Sequence, residues 1–410
     1  MGQLQVDVDP AEVGFDPGRL ARIDRHFRRY VDDGRLPGWL VMISRDGRVA
    51  HLSTYGQRDV EAGLPVEIDT LFRIYSMTKP ITSVAAMMLH EEGAFELRDP
   101  ISRFIPSFAD PRVYRAGSAV RPVTEPATEP VRIWHLLTHT SGLTYGFHHT
   151  DPVDAMYRAA GFEWGTPEGM DLAACCDRWA GLPLLFQPGS EWAYSVATDV
   201  LGRVVEVATG QSLDRVFAER IFGPLGMTDT AFSVGEGDHG RLAALYAAAP
   251  SGGFGRFDAM GRNALSPPSS LSGGGGLVST VADYHRFTQM LARGGELDGA
   301  RLLGTRTMRY MTANHIPHGA DLHSFGRPLF AETPFHGVGF GLGFSVLLDP
   351  VAAKSPGSVG EFGWGGAAST AFWVDPAERI TAVFLTQLLP SSTHPIRSQL
   401  RQLVYQALVD

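Results

Sequence analysis

The chain has 410 residues, a formal net charge of -9 and a pI near 5.9. That acidity excludes nucleic acid or an anionic membrane surface as a principal partner, since both carry the same sign of charge. With 44% hydrophobic and 19% charged residues, the chain can bury a sizeable core, and its length suits one large domain or two.

No stretch reads as a membrane span. The first residues are polar and acidic rather than basic and then apolar, so no export signal is expected. The two cysteines, Cys175 and Cys176, are adjacent, and a vicinal pair is poorly placed for an ordinary disulfide. A reducing, cytoplasmic setting is the expectation.

In chain order, Asp16-Pro17 reads as an N-cap and first helical position. Leu20, Ile23, Phe27 and Tyr30 follow at helical spacing, Arg22, Arg25 and Arg29 lie off that stripe, and Gly34 ends the helix. Trp39–Ile43 and Val49–Tyr55 flank Asp46-Gly47, a hairpin signal. Thr78–Glu92 reads as a helix with an apolar stripe of Ile81, Val84, Ala85, Met88 and Leu89. Pro80 fits only a first helical turn, so this helix starts near Ser76.

Ala109–Pro130, rich in proline, threonine and arginine, reads as a long surface connection. Ile133–Leu137 is a short helix, and helices are expected from about Asp151 to Trp179 and from Thr198 to Thr209. Phe222–Met227 breaks the helical pattern, and Ala247–Gly276 reads as a Gly/Ser/Pro-rich loop. Its Gly273–Gly276 run has no Gly-Lys-Ser/Thr after it and so is no phosphate loop. Ser279-Thr280 caps a helix through Leu291. Gly341–Leu348, Thr370–Val374 and Ile380–Thr386 read as strands, and a last helix carries Ile396, Leu400, Leu403, Val404 and Leu408. Strands at both ends with helices between imply an α+β chain. Residues 1–100 and 270–410 would build one mixed domain around an antiparallel sheet, with a mainly helical domain, 101–269, inserted.

Ser76 and Lys79 stand three apart, which places them on one face of a starting helix. The lysine can then reach the serine hydroxyl and lower the cost of deprotonating it. A bare Ser-x-x-Lys is more often a helix cap followed by a surface lysine. Composition weighs against that here, because Lys79 and Lys354 are the only lysines and the other 33 basic residues are arginine. Lysine supplies a titratable amine that arginine lacks. Other patterns carry less. His90-Glu91 lacks the second histidine of a His-Glu-x-x-His zinc site, and His148-His149 are adjacent in a segment read as a loop. No Gly-x-Ser-x-Gly elbow is present. Phe162-Glu163-Trp164 suits either a pocket wall or helical core. Neither metal nor cofactor is expected.

The sequence resembles the serine β-lactamase and penicillin-binding protein superfamily, most of all the branch of class C β-lactamases and family VIII carboxylesterases. The resemblance rests on five segments in family order between about residues 14 and 390. They are Ser76-Met77-Thr78-Lys79, His139-Thr140-Ser141-Gly142-Leu143, Tyr194-Ser195-Val196, Gly273–Thr280 and Trp364-Gly365-Gly366. It implies an antiparallel sheet flanked by helices, a helical domain beside it and an active site between them. It makes Ser76 the nucleophile, Lys79 its cation and Tyr194 the third catalytic member, and leaves open whether lysine or tyrosine is the working base. The amides of Ser76 and Ala367 would form the oxyanion hole. Trp364, Gly365, Gly366, Tyr145 and Val196 would touch substrate, the glycines letting it lie close along an edge strand.

Two departures separate this chain from β-lactamases. Trp364 stands where they carry a cation for the substrate carboxylate, and Val196 where they carry the asparagine of Tyr-x-Asn. Neither residue makes the same polar contact. The resemblance therefore implies an esterase for short-chain, neutral carboxylic esters, with weak β-lactamase or acyl-transfer activity beside it. The alternatives are a non-catalytic binder of β-lactams or peptidoglycan fragments, and an amidase for D-amino acid peptides.

Overall fold

The structure, a computed structural model, describes residues 4–250, 252–327 and 335–409. At the start, the Asp16 carboxylate accepts from the Arg19 amide at 2.8 Å, and Pro17 opens the first turn. Helix α1 (Arg22–Asp32) buries Ile23, Phe27 and Tyr30 and turns Arg22, Arg25 and Arg29 to solvent. Strands β1 (Gly38–Arg45) and β2 (Arg48–Asp59) form the hairpin expected around Asp46-Gly47. Those two residues have φ of 55° and 77°, as a turn matching the strand twist requires. A short β3 (Leu64–Pro65) pairs with the end of β2.

One tight turn at Tyr75–Met77 leads into α2 (Thr78–Glu91), with Pro80 in the first helical turn. A second hairpin, β4 (Arg112–Gly117) and β5 (Pro122–Pro126), precedes α3 (Ile133–Leu137), α4 (Pro152–Ala159), α5 (Leu172–Ala180) and α6 (Ala197–Thr209). Strands β6 (Tyr246–Ala248) and β7 (Phe254–Arg256) then pair. Thr280 Oγ1 accepts from the Asp283 amide to cap α7 (Val281–Ala292). The chain closes with β8 (Val338–Phe340), β9 (Ser345–Leu347), β10 (Phe362–Gly365), β11 (Ala371–Asp375), β12 (Ile380–Leu385) and α8 (Ile396–Tyr405).

Eight of these strands form one antiparallel sheet in the order β8-β9-β10-β11-β12-β1-β2-β3. Its strands come from residues 38–65 and 338–385; among the described residues, 101–269 contributes none to it. β1 is buried along its whole length because both faces of the sheet are covered. Leu40 and Met42 pack on one side with Ile81 and Val84 of α2 and Phe287 of α7. Trp39, Val41 and Ile43 pack on the other with Phe27 of α1 and Leu400 of α8. Each such side chain contributes about 1.5–3 kcal/mol by leaving water. No helix among the described residues is long and apolar enough to cross a membrane.

Several sequence expectations need correction. The supposed connection at 109–130 contains the β4–β5 hairpin. Of the hairpin's residues only Val113 is buried in the core, while Val120 and Val123 face solvent, so no alternation of hydropathy marked it. The loop expected from Ala247 to Gly276 contains β7 and the end of β6, joined through Gly252 and Gly253 at φ 93° and 70°. The helical path through Phe222 does not stop at Gly223-Pro224. Pro224 opens a further helical turn that ends at Gly226, φ 64°. The strand expected from Gly341 to Leu348 is a turn followed by β9, and the partner strand β8 ends before it at Phe340. Gly343 turns at φ 97° where a Cβ would collide with Ser83 of α2. Finally, β10 is not an edge strand. It pairs with β9 through Phe362 and Gly363 and with β11 along its length. Among the described residues, beyond Gly363 only the β11 side is paired, so Trp364 and Gly365 run along an open edge there.

Candidate active site

Ser76 sits in the Tyr75–Met77 turn, where Tyr75 has a left-handed φ of 45°. A bulky residue in that region costs about 1–3 kcal/mol and needs surrounding structure to hold it. The clamps are visible. Tyr284 of α7 donates to the Met77 carbonyl at 2.9 Å, and the Leu277 amide donates to Thr78 Oγ1 at 3.2 Å. Thr370 donates to the Ile74 carbonyl at 3.4 Å, and a Cβ on Gly366 would collide with both of those groups.

Lys79 is 1% exposed, and its ammonium has three oxygen neighbours. It donates to Ser76 Oγ at 3.3 Å, Tyr145 OH at 2.9 Å and the Gly274 carbonyl at 2.7 Å. No carboxylate among the described residues pairs with it. Instead it lies 4.5 Å from the centre of the Tyr194 ring, an attractive placement for a cation over an aromatic face. The Gly274 carbonyl is itself held. Asp199 Oδ1 accepts from the Gly274 amide at 3.0 Å and from Ser272 Oγ at 2.5 Å. Only glycine fits at 274, since a Cβ would collide with the Asp199 carboxylate. Sequence reasoning missed Asp199, because an acidic residue in the first turn of α6 looks like ordinary helix capping. It also missed the clamp Tyr284, which reads only as one more apolar position on α7.

The two tyrosines divide differently from what the sequence implied. Tyr145, placed among substrate contacts, is the phenol bonded to Lys79. Burial, with Asp199 and Tyr194 adding, pushes its hydroxyl well above the ordinary phenol value, so it is a neutral partner for the ammonium. Tyr194 turns a ring face to Lys79, and its oxygen accepts from Trp364 Nε1 at 3.1 Å. Among the described residues the Tyr194 hydroxyl makes no hydrogen bond to Ser76 or Lys79. The Tyr194 carbonyl accepts from His148 Nε2 at 2.8 Å, while His149 faces Glu163. His139, in the turn before Tyr145, has φ 55° and packs on the Tyr194 ring. Burial first, then Lys79, holds its imidazole well below the usual histidine value, so it stays neutral.

A cavity of about 1030 Å³ opens above this group, and Ser76, Tyr145, Tyr194, Val196, Trp364 and Ala367 all line it. Gly365 and Gly366 line it too, but their bareness serves the protein. A Cβ on Gly365 would collide with the Arg397 guanidinium, and one on Gly366 with Thr370 and Ile74. Phe162 is buried against Trp179 and, with Glu163 and Trp164, also lines the cavity. Arginines border the cavity but are engaged. Arg73 donates to the Ala243 carbonyl at 2.7 Å, Arg397 to the Gly366 carbonyl at 2.9 Å, and Arg401 pairs with Glu361. Among the described residues no group of three His, Cys, Asp or Glu side chains is arranged to hold a metal ion.

Fold and site together define an enzyme of the serine β-lactamase fold. The beta-lactamase family model matches residues 23–406, and the chain belongs to that family. It is 39% identical over 367 residues to Protein Rv1367c of Mycobacterium tuberculosis, covering 88% of each chain. It is 32% identical over 418 residues to Esterase EstB of Burkholderia gladioli, covering 97% of this chain and 98% of that one. The solved structure of EstCE1, described as a hydrolase with promiscuous acyltransferase activity, matches with a TM-score of 0.79 at 29% identity. That match covers 95% of this chain and 99% of the other. The chain is thus a hydrolase of the serine β-lactamase fold related to esterases and acyltransferases.

Proposed function

We propose that the chain cleaves short-chain carboxylic esters through an acyl-enzyme on Ser76. The observation that carries this reading is the position of Lys79, buried and bonded at 3.3 Å to the Oγ of Ser76, which lines the cavity. In this scheme Ser76 Oγ attacks the ester carbonyl, and the Ser76 and Ala367 amides receive the developing oxyanion. Lys79 Nζ, 3.3 Å from Ser76 Oγ, is placed to take the serine proton. Tyr194 accepts from Trp364 and keeps its own O–H proton for the departing alkoxide. Water then attacks the acyl-enzyme with these roles reversed, releasing the acid and restoring Ser76. An alcohol in place of water gives acyl transfer.

The wall around Trp364 and Val196 favours an ester over a penicillin. The Trp364 N–H is committed to Tyr194, and Val196 offers no side-chain polar atom. A penicillin would thus lose a charge-assisted contact of about 1.5–3 kcal/mol and a neutral one of about 1 kcal/mol. Felt fully in the transition state, that is roughly a 10²- to 10³-fold deficit in kcat/KM. The test is kcat/KM for p-nitrophenyl butyrate and a penicillin on one preparation. An ester advantage of this size supports the proposal; parity or a penicillin advantage rejects it.

A further inference from the structure

One wall of the cavity is a run of aromatic rings from solvent to the catalytic group. Trp164 stacks on Phe147 at 5.3 Å and 12°, and Phe147 on Tyr145 at 4.6 Å and 21°. Tyr145 then meets Tyr194 at 5.3 Å, Tyr194 meets Trp364 at 5.4 Å, and Trp364 stacks on Phe335 at 6.2 Å and 14°. All six line the cavity. Trp164 lies at the outer end and is 54% exposed. A flat apolar face of that size left in water beside a deep cavity is a feature that marks ligand grooves.

The wall offers ring faces and few polar groups, since the Trp364 N–H is occupied by Tyr194 and the Tyr145 oxygen by Lys79. Its volume matters as well. A site of about 1030 Å³ lies at the upper end of the ~300–1,000 Å³ that drug-sized ligands occupy. An acetyl or butyryl group leaves most of it empty. The remaining space must suit the other half of the ester, the alcohol. Tyr194, assigned above to protonate the departing alkoxide, stands in the middle of the run. The alcohol half therefore lies along this wall, on the path that leads out past Phe147 and Trp164.

We infer that the substrates are short-chain acyl esters of flat aromatic alcohols, with the aryl or fused-ring part stacked on the Phe147–Trp164 platform. This rests on the ester-hydrolase reading of Ser76 and adds the class of alcohol. Ring stacking of this kind contributes a modest, geometry-dependent gain beyond area alone, so the effect at one ring is about three- to tenfold.

The experiment compares 2-naphthyl acetate, methyl 2-naphthoate and butyl acetate on the parent, Trp164→Ala and Trp164→Phe. Comparing each variant with its parent on the same ester cancels intrinsic reactivity. The expected result is that Trp164→Ala loses about three- to tenfold more kcat/KM on 2-naphthyl acetate than on butyl acetate. The loss should appear in KM, and Trp164→Phe should recover most of it. The naphthoate, with its ring on the acyl side, should follow butyl acetate. Equal losses on all three esters, or a selective loss on the naphthoate, overturn the inference. Binding of 2-naphthol to Ser76→Ala, read by tryptophan fluorescence, separates the two readings. If no ester is turned over, the hydrolase proposal fails. Weakened 2-naphthol binding on adding Trp164→Ala then still supports the platform, and unchanged binding rejects it.

Discussion

Asp199 reaches the reacting serine only through two intermediaries, yet removing it should disable the enzyme. Its buried carboxylate accepts from the Gly274 amide at 3.0 Å and from Ser272 Oγ at 2.5 Å. The Gly274 carbonyl in turn accepts from Lys79 at 2.7 Å, one of the three contacts that fix the ammonium. Hydrogen bonds to a charged group contribute about 1.5–3 kcal/mol each, so Asp199→Ala should cost roughly 3–6 kcal/mol of stability. Part of that penalty is spent locally, because the Gly274 amide then loses its acceptor and the Thr82 hydrogen bond to the Gly273 carbonyl, at 2.7 Å, is left to hold the segment beside Lys79. A catalytic group displaced by about 1 Å loses on the order of 10² in rate. Asp199→Asn keeps an acceptor of the same shape and should lose less, about tenfold or below. The assays are urea unfolding for stability and kcat/KM on p-nitrophenyl butyrate below the unfolding transition. A folded Asp199→Ala variant with near-parental activity would refute the idea that this carboxylate positions Lys79.

Lys79→Arg keeps the charge but loses the compact titratable amine, and should cut ester turnover by roughly 10²-fold or more, the scale of a misplaced general base. An arginine variant of near-parental activity would reduce Lys79 to an electrostatic fixture. A third prediction concerns Asp283, whose carboxylate accepts from the Asp229 amide and Thr230 Oγ1 at the start of α7. Burial, with Asp229 adding, raises it from 3.8 to about 6 against those hydrogen bonds. A raised carboxylate holds its proton more tightly in the folded state, so its contribution is fullest below the unfolded value. It is lost as pH climbs from about 4 to about 6. The stability difference between Asp283→Asn and the parent should therefore shift in the variant's favour across that window by up to about 3 kcal/mol; a flat difference from pH 4 to 7 contradicts the assignment.

The sequence exposed those parts of the fold whose signals are local. The Asp46-Gly47 turn, the Ile23–Phe27–Tyr30 stripe and the proline that starts α2 each follow from neighbouring residues, and the structure keeps all three. Ser76 and Lys79 were legible because lysine is so rare in this chain. What remained hidden depends on contacts distant in sequence. The β4–β5 hairpin is solvated on most of its surface and carries no alternation. The bend at Gly343 exists because Ser83, some 260 positions earlier, occupies the space of a side chain. Gly365 is bare for Arg397, and Gly274 for Asp199. Nor does any local pattern say which tyrosine hydroxyl meets Lys79, since Tyr145 and Tyr194 arrive from different loops and are told apart only by packing.

The central claim, an acyl-enzyme on Ser76 that turns over, is tested most directly by combining steady-state kinetics with a quenched-flow mass measurement on p-nitrophenyl butyrate. The expected result is sustained p-nitrophenol release, with a butyryl group on the peptide that holds Ser76 during turnover and neither signal in folded Ser76→Ala. A single stoichiometric burst would make the chain an acylated binder rather than a hydrolase. Turnover by Ser76→Ala within tenfold of the parent would remove Ser76 as the nucleophile.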